Sequence, residues 1–239
     1  RVICITSGKG GVGKTNFTSN LAISLGKLNK RVVIIDADLG LANVDVVLGV
    51  IPEYTLLDVI KDNKDITEVM KIGPEGIKII SGGSGILDLV DMPKESLSIL
   101  IEEFDKIQEH ADIILIDTGA GLSKSVLSFA LAAKEVIVVA TPEPTSITDA
   151  YAMIKTIIME DRNKDIKVII NRVDDMKEGS IAFSKLRNVS KKFLNVEIKE
   201  LGFIPEDISV RKAVKAQSPF LLEYPNSFIS ESIEKIALK

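Results

Sequence analysis

Residues 8–15 of this 239-residue chain read Gly8-Lys9-Gly10-Gly11-Val12-Gly13-Lys14-Thr15 and fit the pattern G-x-x-x-x-G-K-[ST]. The pattern constrains the fold because it works only between a strand and a helix. Both are in place. Val2–Thr6 is a β-branched apolar run, and Thr15–Leu28 sets Phe17, Leu21, Leu25 and Leu28 along one helical stripe. Glycines at these positions admit unusual φ values and bring backbone N–H groups against phosphate oxygens. The helix N-terminus adds partial positive charge. Lys14 is expected to neutralise the β- and γ-phosphates of a nucleotide, and the Thr15 hydroxyl to ligate Mg²⁺. Gly8 through Asn16 is therefore the expected phosphate-binding segment. A chance glycine-rich turn would not be bracketed in this way.

The rest of the chain repeats the alternation. Strands are expected at Arg31–Asp36, Ile77–Ser81, Asp112–Asp117, Glu135–Ala140, Lys167–Val173 and Glu200–Ile204. Several are apolar on successive residues, as in Val32-Val33-Ile34-Ile35 and Ile113-Ile114-Leu115-Ile116, the mark of strands covered on both faces. Helices are expected over Lys94–His110, Leu122–Ala133, Ser146–Glu160 and Glu178–Phe193. This order predicts an α/β fold: a doubly wound, mostly parallel sheet with helices on both faces. No repeat or long Pro/Gly-rich linker interrupts it, so one domain over residues 1–239 is the expectation.

Composition removes several chemistries. One cysteine (Cys4) and one histidine (His110) leave no intrachain disulfide framework and argue against Cys/His metal sites or histidine bases. Thirty Lys plus Arg against 34 Asp plus Glu give a formal charge of −4, which disfavours a chain built to coat nucleic acid. A lone cysteine suits the reducing cytosol. What chemistry remains must run on lysine, carboxylates, hydroxyls and backbone amides, which suffices for phosphoryl transfer.

Carboxylates stand where such chemistry needs them. The strand Arg31–Asp36 runs into Asp36-Ala37-Asp38, and Asp112–Asp117 ends at Asp117; the C-terminal ends of parallel strands beside a phosphate loop face the ligand crevice. Two further strands end at Asn171-Arg172 and at Pro205-Glu206-Asp207 on the same side. Local explanations coexist with functional ones, since Asp, Asn and Pro also cap helices and form turns.

The second lysine of the loop, in Lys9-Gly10-Gly11-Val12-Gly13-Lys14-Thr15, resembles the deviant Walker A motif of the MinD/ParA group of ATPases. The resemblance implies a slow, Mg²⁺-dependent ATPase, binding ATP and ADP and pairing as a homodimer when ATP-bound, with Lys9 reaching the partner's nucleotide. It implies that Asp36 lies near the Mg²⁺ shell, Asp38 positions the attacking water and Asp117 holds Mg²⁺. Lys9, Lys14 and Asp38 are then the catalytic candidates, and Thr15, Asp36 and Asp117 the metal candidates. Asn171 and the segment Pro205, Glu206 and Asp207 would hold adenine. Three runs narrow the branch: Asp36–Asp45 (DADLGLANVD), Asp117–Ser123 (DTGAGLS) and Pro142–Ala152 (PEPTSITDAYA) are similar to the flagellar-number regulators of that group (FlhG, FleN, YlxH). That branch implies a role in flagellar number or placement, and as partners a flagellar SRP-type GTPase and switch or basal-body proteins. A MinD-like division-site protein or a ParA-like DNA-partitioning ATPase is the alternative. A capping box at Ser146–Asp149 is a local reading of part of the third run.

Residue 1 is Arg and already lies in a strand, so a natural N-terminal segment upstream is expected, and a C-terminal tail beyond Lys239. The group attaches peripherally to the inner face of the membrane through a C-terminal amphipathic helix. Here Asn226–Lys239 sets Phe228, Ile229, Ile233 and Ile236 near one face, but its polar residues mix Glu231 and Glu234 with Lys235 and Lys239. Membrane-surface helices carry a basic polar face. This segment is expected to pack on the domain, with any anchor lying further on.

Overall fold

A computed structural model describes residues 1–38, 42–62, 64–83, 103 and 106–239. The described strands are β1 (Val2–Ser7), β2 (Val32–Ala37), β3 (Lys71–Ile72), β4 (Lys78–Ile80), β5 (Ile113–Ala120), β6 (Glu135–Ala140), β7 (Asp165–Val173) and β8 (Lys199–Pro205). They form one sheet in the order β3-β4-β2-β5-β1-β6-β7-β8, parallel except for the β3–β4 pair. The helices are α1 (Lys14–Lys27), α2 (Val44–Leu48), α3 (Leu56–Asp62), α4 (Lys124–Ala132), α5 (Pro144–Glu160), α6 (Met176–Leu194), α7 (Ile208–Lys215), α8 (Phe220–Glu223) and α9 (Phe228–Ala237).

Strand alternation sorts side chains into two cores. On β1, Cys4 faces one layer and Ile3 and Ile5 the other; on β2, Val33 and Ile35 oppose Val32 and Ile34. The first layer is completed by Val126 and Phe129 of α4, Met153, Ile154 and Ile157 of α5, and Phe183 and Leu186 of α6. Phe17, Leu21 and Leu25 of α1, with Ile229, Ile233 and Ile236 of α9, complete the second. The doubly wound architecture expected from the alternation is what forms.

Differences lie at ends and edges. The two-residue β3 is exposed and too short to show a period. Leu28 falls just past the end of α1 and is 42% exposed, so it does not extend the buried stripe. Helix α5 begins two residues before Ser146, with Pro144 in its first turn, where a missing N–H costs nothing. Ser146 lies inside the helix, and its hydroxyl accepts from the Thr141 backbone N–H at 2.9 Å. Most of the helix expected over Lys94–His110 lies outside the described residues, as do residues 39–41 of the Asp36–Asp45 run. Helix α9 packs on α1 and β8, where Gly202 leaves room for Ile236. Its buried face is Ile229, Ile233 and Ile236; Phe228, expected beside them, opens the helix and is 80% exposed. No helix among the described residues is long and apolar enough to cross a membrane.

Candidate functional site

Between β1 and α1 the chain turns through Gly11 (φ 75°) and Gly13 (φ 95°), values that suit glycine because a Cβ there is strained. Gly13 also lies so close to the Asn171 amide nitrogen that a Cβ would collide with it, and a Cβ on Gly8 would collide with the Asp149 backbone. The loop is thus gripped from behind by α5 and from the side by β7.

The two loop lysines part company. Lys14 is buried and donates to the Ser7 hydroxyl at 2.9 Å, which in turn donates to the Lys9 carbonyl at 2.7 Å. Burial lowers the Lys14 pKa, against the pull of Asp117 and Asp38. Lys9 is exposed, and its ammonium donates to the Thr145 hydroxyl of α5 at 3.1 Å.

The carboxylates also divide. Asp117, where the sequence expected the strand to end, is buried inside β5, which runs on to Ala120; it accepts from Thr15 Oγ1 at 2.7 Å and from Thr18 Oγ1 at 2.8 Å. Asp36 is buried too, and accepts from the backbone N–H groups of Asp38, Asn43 and Val44 at 3.1, 2.8 and 2.9 Å. Burial pushes both pKa values up; repulsion from Asp117 adds to the rise at Asp36. Asp38 is the carboxylate that faces the opening. It lines a cavity of about 670 Å³ with Lys14, Thr15 and Asn16, and a Cβ on Gly119 would stand 3.3 Å from its Oδ1. Asp36 and Asp117 stand behind that wall. Asp36, expected near the magnesium shell, accepts three backbone N–H groups, organises the start of α2 and does not itself line the cavity.

A second lobe of about 230 Å³ opens on the other side of the loop, sharing Gly11, Gly13 and Asn16 with the first. Its walls are Phe17, Ile204, Val210 and Phe220, with Asn171 and the Pro205–Asp207 segment at the rim. The Asn171 amide is already engaged, donating to the Val12 carbonyl at 2.7 Å and accepting from Arg172 N at 2.9 Å. Glu206 pairs with Arg172 at 2.6 Å, and Asp207 caps α7 by accepting from Ser209 N at 2.8 Å. Pro205 ends β8 and Val12 is buried. All the residues singled out from the sequence gather at the C-terminal edge of the sheet. Ser7 and Thr18 join them without a motif to announce them: Ser7 ends the strand that carries the loop, and Thr18 lies one turn beyond Thr15.

The residues fit a magnesium ion beside a nucleotide. The donors are hard oxygens, the Thr15 hydroxyl at the cavity wall backed by the Asp117 carboxylate, with Asp38 on the same cavity wall. Among the described residues no three acidic, His or Cys side chains cluster tightly enough to cage an ion. Mg²⁺ beside a nucleotide takes most of its shell from phosphate and water, so one hydroxyl backed by one carboxylate fits it.

A strand, a glycine-rich turn carrying a buried lysine and a helix opening with threonine, set in a parallel sheet with carboxylates at its ligand edge, define a P-loop nucleotide-binding protein. The chain belongs to the CobQ/CobB/MinD/ParA nucleotide binding domain family, which it matches over residues 3–220, and it is a MinD/ParA-type ATPase. It is 43% identical over 239 residues to the antiactivator FleN of Pseudomonas aeruginosa, covering 100% of this chain and 85% of the relative. It is 37% identical over 241 residues to the flagellum site-determining protein YlxH of Helicobacter pylori, covering 99% and 80%. These place it in the flagellar-number branch. The septum site-determining protein MinD of Pyrococcus horikoshii, solved in complex with Mg-ADP, superposes with a TM-score of 0.84 at 28% identity over 99% of this chain and 94% of that one.

Proposed function

We propose that the protein is an ATP-dependent dimerising switch with slow, Mg²⁺-dependent hydrolysis that controls the number or placement of flagella. The names borne by the FleN and YlxH relatives support the cellular role. The observation that carries the switch is the division of labour between the two loop lysines. Lys14 is buried in its own loop, whereas Lys9 is exposed and held by an exposed hydroxyl. An exposed ammonium bonded to a neutral hydroxyl is cheap to release, since water replaces the bond it gives up.

In this reading the loop amides and Lys14 bind the phosphates, and the Asn171 and Pro205–Asp207 rim shelters the base in the apolar lobe. Thr15 and Asp117 hold magnesium, which when bound supplies charge neutralisation along the triphosphate. Asp38 orients a water in the cavity. Lys9 of each protomer completes the other's phosphate site, so turnover follows pairing. Asp36 serves indirectly, by shaping the segment that carries Asp38. The partners proposed are a flagellar SRP-type GTPase and switch or basal-body proteins, with peripheral contact at the inner membrane face.

The test is size-exclusion chromatography with light scattering in ADP and in a non-hydrolysable ATP analogue, both with Mg²⁺. The wild type should be monomeric in the first and dimeric in the second. Lys9→Ala should bind ADP normally and stay monomeric in both. A normal analogue-bound dimer from Lys9→Ala would refute the cross-subunit role.

A further inference from the structure

We propose that Thr18 is a positioning residue of the magnesium site: it locks the orientation of the Asp117 carboxylate and thereby sets the metal affinity of the nucleotide-bound protein. The inference rests on the proposed nucleotide and magnesium reading and deepens it.

Asp117 presents both carboxylate oxygens to one helix. Thr15 takes Oδ2 and Thr18 takes Oδ1, at 2.7 and 2.8 Å. The two threonines stand three residues apart and share a face of α1. One such bond leaves a carboxylate free to swing about its Cβ–Cγ axis; two remove that freedom. Thr15 is the residue whose hydroxyl reaches the cavity, while Thr18 is 0% exposed and does not line it. The task left to Thr18 is to hold the oxygen that Thr15 does not.

A helical threonine commonly spends its hydroxyl on the carbonyl four residues back. Thr18 has that option, with the Lys14 carbonyl 3.0 Å away. Its single proton therefore faces two acceptors, and Asp117 Oδ1 is both nearer and anionic. The bond spans 99 residues of sequence and ties the phosphate-loop helix to β5. Removing the hydroxyl would leave a buried carboxylate oxygen without its donor. Loss of such a partner behind a metal ligand weakens metal binding by about 10- to 100-fold.

The experiment uses the full chain and a fluorescent ADP analogue, titrated first in EDTA and then at rising free Mg²⁺. Thr18→Val keeps the shape and loses the donor; Thr18→Ser keeps the donor. Thr18→Val should bind the analogue in EDTA within about twofold of the wild type, yet need about 10- to 100-fold more Mg²⁺ for half-maximal tightening. Thr18→Ser should restore the wild-type response, and Thr18→Ala should behave as Thr18→Val. A Mg²⁺ response in Thr18→Val equal to that of the wild type, with binding intact, overturns the proposal. So does failure of both Thr18→Val and Thr18→Ala to fold, because a residue confined to positioning leaves the fold standing. A wild type that binds the analogue with no dependence on Mg²⁺ instead overturns the magnesium reading on which the proposal stands, and one that does not bind it overturns the nucleotide reading.

Discussion

Gly8 opens the phosphate loop with its Cα pressed against the first turns of α5. A methyl group there would penetrate the Asp149 backbone carbonyl and come 2.8 Å from the Asp149 Cβ. None of these atoms is the free end of a flexible side chain, so the loop itself must move. Restoring ordinary carbon contacts of about 3.5 Å requires a shift of about 1 Å. Overpacking of this kind costs about 1–3 kcal/mol, or about 3–10 °C in Tm for a chain of this size. The functional loss should be larger in proportion, since a displacement of about 1 Å at a site built on positioning costs about 100-fold. Gly8→Ala should therefore remain folded, melt a few degrees early, and bind ADP about 100-fold more weakly in a fluorescence titration. Gly10→Ala supplies the stability control. Its methyl would meet the Ala120 Cβ at 3.9 Å, an ordinary contact, so its Tm should move by about 2 °C or less. If Gly8→Ala binds ADP as the wild type does, or melts no earlier than Gly10→Ala, the loop is not wedged against α5 and the reasoning fails.

Asp38→Ala removes the carboxylate that faces the cavity; phosphate release should drop by about 100-fold or more while the analogue-bound dimer persists, and unchanged turnover would rule out Asp38 as the water-positioning group. Glu135 at the start of β6 is paired with Arg1 and Lys167 at 2.5 and 2.7 Å, and the hydrogen bond from Arg1 foremost lowers its pKa from 4.5 to about 2. A lowered folded-state pKa stabilises the fold above about pH 4.5, and that contribution fades as the pH falls toward about 2. Glu135→Gln should cost about 1 kcal/mol at pH 7, after allowance for solvent screening at this rim, and nothing near pH 2; equal urea midpoint shifts at both pH values would refute the assignment. Ile233→Ala, in the buried face of α9, should cost about 2–5 kcal/mol, whereas Phe228→Ala should change stability by less than about 0.5 kcal/mol; the reverse order in thermal melts would show that α9 docks by a different face.

The sequence by itself determined the longer strands, the longer helices and the loop between β1 and α1, because these are local properties; the short β3, α2, α3, α7 and α8 escaped it. Successive apolar residues such as those of β2 and β5 read as doubly covered strands, the stripe through Phe17, Leu21 and Leu25 reads as a helix face, and the glycines stand where the backbone turns through positive φ. Periodicity loses its force at boundaries. The start of α5 at Pro144, the two residues of β3 and the outward turn of Phe228 emerge only where neighbouring elements decide which residues stay covered. The site's wiring belongs to the tertiary structure for a different reason. Thr18 meets Asp117 across 99 residues and Asn171 meets Val12 across 159. Strand order brings those pairs together, and no local pattern encodes strand order. It also decides what a motif residue does: Asp36 and Asp38 stand two positions apart on one strand end, yet backbone N–H donors draw Asp36 inward and leave Asp38 facing the cavity.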